Sequence, residues 1–318
     1  MTAPLWQADW TDGEDADFRA AWAAAGVPAR VLRARPLGPS VGRRSHRLRS
    51  WPAYARLAVE GLARAGGAPL VAWQPLAGAV AAGLRRRRPA VVALNPILVP
   101  GRGGPQRAVL AGLRRADRVV LYSRRAVDAA AGLGLDRSRL SFVPLGVRAR
   151  RERPAPPGPY VLAAGREDRD WDTLGRAAAE VDAEVVVVGP PSLPPSGRLR
   201  VHPPVDRDAF VALLEGAAGL VVPLRRPDRT AGQLAVLDAM SVGRAVVATR
   251  TQGTEDYVTP ATGLLVPPGD AAALAAAMRR LLEPGVAAGL GAGALAAARG
   301  DLSLERFVTA VHHLAAAA

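Results

Sequence analysis

The sequence predicts an α/β protein made of two similar units, each a parallel sheet interleaved with helices. Three observations predict it. From residue 90 onward, short apolar runs alternate with longer runs of helical period, the pattern of repeated βα steps. A charged, Pro-rich and aperiodic stretch, ARRERPAPPGP at 149–159, interrupts that alternation, which then restarts. The stretch 220–249, LVVPLRRPDRTAGQLAVLDAMSVGRAVVAT, holds a strand, a polar loop, a helix, a Gly stop and a second strand, the order of one parallel crossover.

Taken in order, residues 5–8 read as a first strand, 11–17 as an acidic loop, 18–25 as a helix ended by Gly26, and 29–33 as a second strand. The Arg-rich segment 36–50 has no period and reads as a loop. A helix follows at 51–65, a strand at 69–73, and a helix at 77–88 that closes on four arginines. Those arginines either complement the helix dipole or form a surface patch for anions. The clearest strand of this half is 90–94, with Asn95 at its carboxyl end. A helix at 106–116, a strand at 119–122, a helix at 124–133 and a strand at 140–144 complete it.

After the break come a strand at 160–164, a helix at 171–181, a strand at 183–188, a short strand at 199–202 and a helix at 208–217. The 220–249 stretch follows, then a strand at 264–266, a helix at 271–282 capped by Asp270, and two Ala-rich helices. The expected domains are 1–152, 153–300 and a terminal helix at 301–318 that can pack back on the first domain.

All 42 basic residues are Arg, and with 28 acids the net charge is +14. Residues 1–155 carry 27 Arg and 10 acids, whereas residues 156–318 carry 15 Arg and 18 acids. A basic first half suits an anionic membrane, an acidic acceptor or nucleic acid, and equally a set of solvated helix faces. Aromatic residues make up only 4% of the chain, which leaves few stacking platforms and argues against nucleic acid. There is no Cys, hence no disulfide framework and no thiolate chemistry. Every long apolar run is broken by a charge, Pro or Gly, and the first residues are acidic rather than leader-like. The expected location is therefore cytoplasmic, with peripheral contact at the inner membrane face as an extension. The His, Asp and Glu residues show no metal-ligand spacing, so neither metal nor cofactor is expected.

Two places carry chemistry. Thr230, Gly232 and Gln233 stand where the 234–241 helix begins, and free N–H groups and the positive dipole end there favour an anion; the plainer reading is a Thr-capped helix start. Asp238 is an isolated acid in an apolar helix, either a solvent contact or a ligand for hydroxyls. Gly165-Arg166, with Arg169 three residues on, ends the 160–164 strand; two guanidiniums at a strand's carboxyl end suit a diphosphate, and local Arg–Asp pairing in an exposed turn is the alternative.

These residues resemble the nucleotide-sugar site of the large retaining family of GT-B glycosyltransferases, glycosyltransferase group 1. Its motif of two glutamates separated by seven residues, then Ala-Met-x-x-Gly and a Val-Val strand, is similar to Asp238-Ala239-Met240, Gly243 and Val246-Val247. The chain looks like the Ser/Thr-x-Gly-Gln branch of the motif, and Thr230 stands at the first glutamate. The resemblance implies two Rossmann-like domains facing across a cleft. It implies that Asp238 binds the donor ribose, that Arg166 and Arg169 grip the diphosphate, and that Val205 lies where backbone holds the base. Leu234, Gly253 and Thr254 join that donor set, while GLLVPPGD at 263–270 matches a signature that supports packing. Asp170 replaces a family Gly, the Gly-rich loop after the first strand is absent, and Asn95 stands where the family's histidine follows a strand. An Asn amide can bond a sugar hydroxyl but takes no proton. His202, His312 and His313 read as satisfied or solvated, and His46 is the one other candidate.

The expected function is thus transfer of a sugar from a UDP- or GDP-type nucleotide sugar to an unknown acceptor, acidic or membrane-bound, with retention and without metal. Arg166, Arg169 and Asn95 are the expected catalytic residues, with the Gly232 and Gln233 amides assisting as charge develops on the diphosphate. The alternatives are a degenerate GT-B module that binds nucleotide without turnover, a nucleotide-sugar epimerase, and a nucleic-acid binder.

Overall fold

The computed structural model describes residues 3–8, 12–33, 43–86, 88–96, 98, 103–189, 193 and 197–318, with the backbone alone at 12, 13, 43–51, 75, 105 and 284. It separates into two compact units, residues 1–144 with 304–318, and residues 145–303.

The first unit has a six-stranded sheet: β1 Leu5–Ala8, β2 Arg30–Arg33, β3 Leu70–Ala72, β4 Val91–Leu94, β5 Arg118–Leu121 and β6 Leu140–Phe142. The order is β2-β1-β3-β4-β5-β6 and every pairing is parallel. Its helices are α1 Asp12–Ala24, α2 Arg43–Ala65, α3 Pro75–Leu84, α4 Gly104–Leu113, α5 Arg124–Gly132 and α11 Leu304–Ala316. Strands such as VVAL at 91–94 are buried along their whole length, which is why they read as continuous apolar runs. Helix α11 closes this unit. Its buried Phe307 stands 5.7 Å from Tyr122, 6.2 Å from Trp73, 6.3 Å from Phe18 and 6.5 Å from Trp6, ring centre to ring centre. Tilted and edge-on pairs of this kind add about 0.5–1.5 kcal/mol each beyond the area they bury.

The second unit repeats the plan with β7 Tyr160–Ala164, β8 Glu184–Val188, β9 Leu199–His202, β10 Gly219–Val222, β11 Ala245–Thr249 and β12 Gly263–Val266. Its parallel order is β12-β11-β10-β7-β8-β9. Helices α6 Trp171–Ala179, α7 Arg207–Gly216, α8 Gln233–Ser241, α9 Ala271–Leu281 and α10 Pro284–Arg299 cover it. The chain leaves β7 toward β8 on one side and β10 lies on the other, so the direction of winding reverses between β7 and β10. In doubly wound sheets that reversal opens a crevice at the carboxyl ends of the strands.

Four expectations differ. The acidic stretch 11–17 is helix from Asp12 onward; acids in a first turn complement the dipole, and Phe18, Ala21 and Trp22 supply the buried face. Segment 36–50 is helix from Arg43 onward, since Arg is a good helix former and needs no apolar period to propagate from an established helix; residues 36–42 lie outside the described residues. Helix α3 stops at Leu84, so Arg85, Arg86 and Arg88 follow it rather than close it, and residue 87 lies outside the described residues. Arg85 turns extended and its guanidinium is drawn to Asp117, 2.8 Å away. The stretch 149–159, expected as a linker, packs as part of the second unit. Arg150 N–H donates to Ser241 O at 2.8 Å, and the Arg244 guanidinium binds the carbonyls of Ala155 and Pro156 at 2.7 and 3.2 Å.

Candidate functional site

At the reversal point of the second sheet, a cavity of about 260 Å3 opens between the ends of β7 and β8 and the start of α8. Gly165, Arg166, Arg169, Val205, Leu234 and Asp238 all line it, so residues spread over more than seventy positions of the sequence share one wall.

The turn after β7 shapes the cationic side. Gly165 has φ +117°, and a Cβ there would run into the Arg169 guanidinium, so the guanidinium lies directly over this glycine. Arg169 is 8% exposed, donating Nε–H to Ala164 O and Nη1–H to Glu167 O, both at 2.8 Å. Its Nη2 makes no hydrogen bond to a described residue. Burial lowers the guanidinium pKa to about 10, against the opposing pull of Asp168 and Glu167, so Arg169 stays charged at neutral pH. Arg166 is exposed on the cavity wall and makes no ion pair with a described residue.

The alternative of local pairing inside this turn is not what the structure shows. Its acids reach a different loop, the one between β10 and α8. Asp168, at φ +60°, accepts from Arg226 Nε at 2.9 Å and Arg226 N at 3.2 Å, and its own carbonyl accepts from Arg225 N at 2.9 Å. Glu167 pairs with Arg229 at 2.9 Å. Asp170 N–H donates to Pro223 O at 3.0 Å, and the Asp170 carboxylate caps α6 through Thr173. The turn after β7 and the loop between β10 and α8 are therefore fastened together through Glu167, Asp168 and Asp170.

The start of α8 is not Thr-capped. Its N-cap is Gly232, at φ +90°, and no side chain caps it. The Thr230 hydroxyl instead accepts from Gln252 Nε2 at 2.8 Å. The amides of Gln233, Leu234 and Ala235 make no hydrogen bond to described residues, and Leu234 and Ala235 line the cavity. N–H groups without a partner at a helix start favour an anion. Gln233 is 6% exposed, and its Nε2 is buried without a partner.

The other side is apolar, with Val205, Phe210 and Leu234, the last 67% exposed. Asp238 lies beside them on α8. Its carboxylate Oδ1 accepts from Arg207 Nη2 at 2.8 Å. Gly253 and Thr254 do not line the cavity. Thr254 is fully buried and donates to Thr249 O at 2.6 Å, and Gly253 lies where a Cβ would meet the Ala231 backbone, so both brace the turn before α8 from behind. Asn95 belongs to the first unit, at the carboxyl end of β4 with φ +42°; its N–H donates to Val120 O at 2.6 Å. His202 is exposed on β9, His312 and His313 are on α11, and the side chain of His46 in α2 lies outside the described residues. Among the described residues no group of three His, Asp or Glu could hold a metal ion. Arg207, Asp168, Arg226 and Gln252 went unnoticed in the sequence; each acts through a partner 22 to 58 residues away, and no local pattern marks such pairs.

No curated protein matches this chain in sequence. Solved structures do match in fold. Sucrose-phosphate synthase from Thermosynechococcus elongatus superposes with a TM-score of 0.76 at 21% identity, over 98% of each chain. HepE from Anabaena, in complex with UDP and glucose, gives 0.72 at 16% identity over the whole of both chains. A glycosyltransferase from Rickettsia africae gives 0.67 at 13% identity, over 99% of this chain and 98% of that one. Residues 159–284 match the family model "Glycosyl transferases group 1". The protein thus has the GT-B fold, two Rossmann-like parallel-sheet units, and residues 159–284 of its second unit are similar to the glycosyl transferases group 1 model.

Proposed function

We propose that the protein is a glycosyltransferase that takes a nucleotide-diphosphate sugar in the cavity of its second unit and passes the sugar to an acceptor, with retention and without a metal ion. The observation that carries this reading is the cavity itself. Arg166, Arg169 and the first turn of α8 line it together with Asp238 and the apolar Val205 and Phe210. That is a diphosphate grip next to a place for a ribose and a flat base. The match of residues 159–284 to the group 1 model, and the UDP and UDP-glucose bound by HepE, support a nucleotide-sugar donor and make UDP the first nucleotide to try.

In this reading the ribose hydroxyls donate to the Asp238 carboxylate. The two guanidiniums and the amides bind the diphosphate and gain strength as negative charge builds on it during departure from the sugar. Arg166 is the exposed cation, and Arg169 is the buried one. Asn95 is the proposed contact to a sugar or acceptor hydroxyl. The excess of Arg over acids in residues 1–155 supports an acidic or membrane-bound acceptor, met at the inner face of a membrane.

Calorimetric titration of the full chain with UDP, GDP, ADP and dTDP, and then with their sugar conjugates, tests the reading. One nucleoside diphosphate should bind selectively, and its sugar conjugate should yield a glycosylated product with a suitable acceptor. Binding without transfer to any acceptor or water would favour the degenerate module that Thr230 and Asn95 suggest. No binding by any of the four overturns the proposal.

A further inference from the structure

The positive charge of the chain is concentrated in one stretch. Residues 43–117 carry 14 Arg and 2 acids, and the rest of the chain carries 28 Arg and 26 acids. That stretch holds α2, α3 and α4, which lie side by side with α3 in the middle. Right-handed crossovers put all three on one face of the first sheet, and their buried residues, such as Leu57, Ala81 and Leu113, join a single core cluster. Their other sides form a layer open to solvent.

Exposed residues recur along this layer at helical spacing: Pro52, Arg56, Val59 and Ala63 on α2, and Arg107 and Ala111 on α4, with Arg114 just beyond it. Between them, α3 has no polar side chain at all, PLAGAVAAGL. A helix apolar on every side is ordinarily covered, yet Gly83 and Leu84 are exposed. Three large apolar side chains are exposed among the described residues. Leu234 lines the cavity of the second unit; the other two, Val59 at 54% and Leu84 at 57%, both stand on this layer. The charges around them are one-sided. Glu60 and Asp117 are taken up by Arg64 and Arg85, at 2.9 and 2.8 Å. Arg88 shares a cavity with the terminal residue Ala318 and is not part of this set. Arg56, Arg86 and Arg107 are exposed and make no ion pair or hydrogen bond with a described residue.

We propose that the outer layer of α2, α3 and α4 docks on an anionic bilayer, with Val59 and Leu84 at the boundary between headgroups and acyl chains and Arg56, Arg86 and Arg107 against lipid phosphates. An apolar strip rimmed by cations is the pattern of a surface that lies on a membrane. A nucleic acid would gain nothing from the strip, and the described part of the layer exposes no aromatic side chain for stacking. The surface rests on the reading above for its purpose, since it brings the first unit to a membrane-bound acceptor.

The test is co-sedimentation of the full chain with phosphatidylcholine vesicles, with and without phosphatidylglycerol. It needs no nucleotide, so its failure is separate from a failure of the nucleotide titration. Binding should require the anionic lipid and fall as salt rises. Arg56→Glu combined with Arg107→Glu should weaken it at least about tenfold, because two attractive charges become repulsive ones. Leu84→Gln should weaken it about threefold, as an apolar side chain no longer enters the boundary. Arg280→Glu combined with Arg299→Glu makes the same change of charge at exposed positions of the second unit and should leave binding unchanged. All five positions are exposed, and each variant should keep the denaturant midpoint of the parent chain. No binding to anionic vesicles, equal losses in the two double variants, an unchanged response in Leu84→Gln, or preference for a DNA duplex over the vesicles in competition overturns the proposal.

Discussion

Arg207, the first residue of α7, holds Asp238 of α8 by a 2.8 Å ion pair beside the cavity of the second unit. The arginine is half exposed, whereas the carboxylate side chain is 14% exposed. Arg207 contacts Oδ1 and so fixes the orientation of the carboxylate. Asp238→Ala is predicted to weaken the cognate nucleoside diphosphate about tenfold, the worth of charge-assisted hydrogen bonds to ribose. Arg207→Ala is predicted to weaken it only about two- to fivefold, in keeping with a partly exposed pair. The double variant should bind no worse than Asp238→Ala alone, because Arg207 acts through Asp238. Calorimetry on the three variants checks this, and tighter binding by Arg207→Ala would show that the arginine blocks the site instead.

Asp168 joins an unusual backbone to a buried charge, and the two can be separated by mutation. Its φ of +60° is tolerated by Asn and Gly, and its 7% exposed side chain is paired with Arg226. Asp168→Asn keeps the backbone preference and an acceptor for the Arg226 amide, and is predicted to cost under about 1 kcal/mol. Asp168→Ala loses both, and a cost of about 2–3 kcal/mol is expected from the strain and the unpaired Arg226. Urea unfolding of the two variants distinguishes these outcomes; equal losses would mean that the backbone conformation contributes nothing.

The parallel strands were legible because strands such as 160–164 and 245–249 are buried on both faces and show as unbroken apolar runs. What eluded the sequence was polar. The acids at 12–17 and the arginines at 43–50 are helical without an apolar period to show it, and α3 ends where Asp117, 32 residues on, captures Arg85. The site divides in the same way. Arg166, Arg169, Val205, Leu234 and Asp238 stand next to recognisable strand ends and helix starts, and all five line the cavity. Gly253 and Thr254 were expected beside the ligand and lie behind the loop instead. The fastening of Asp168 to Arg226 spans 58 residues and depends on two loops meeting at the reversal of the sheet, which only the folded topology reveals.

Arg244 is 1% exposed and replaces a missing stretch of secondary structure. Its guanidinium donates to Leu214 O at 3.0 Å, Ala155 O at 2.7 Å and Pro156 O at 3.2 Å, and also to Glu215 O. It thereby caps the end of α7 and ties down the Pro-rich stretch that leads into β7. Burial lowers its pKa, with Glu215 pulling the other way. Lysine offers a single ammonium and cannot reach carbonyls on two segments at once. Arg244→Lys is predicted to destabilise the chain by about 2–4 kcal/mol, as two or more buried carbonyls lose their donor. The check is the denaturant midpoint, with nucleotide affinity measured well below it expected to stay unchanged.

Gly165 and Arg169 provide the sharpest test of the diphosphate grip, because the change can be made without touching a charge. Gly165→Ala keeps both arginines but puts a methyl group where the Arg169 guanidinium lies, at a φ of +117° that alanine rarely adopts. The guanidinium must move off its two carbonyl partners, Ala164 O and Glu167 O, and loses its place on the cavity wall. A stability loss of about 1–3 kcal/mol is expected from the backbone alone. The functional effect should be selective. Affinity for the nucleoside diphosphate should fall at least about tenfold, since a charge-assisted bond is lost, while affinity for the parent nucleoside, which meets only Asp238 and the apolar wall, should hold. Parallel calorimetric titrations with the diphosphate and the nucleoside read this directly. If both ligands weaken equally, Arg169 supports the fold of the loop and does not grip the phosphates; if neither changes, the diphosphate rests on Arg166 and the α8 amides alone.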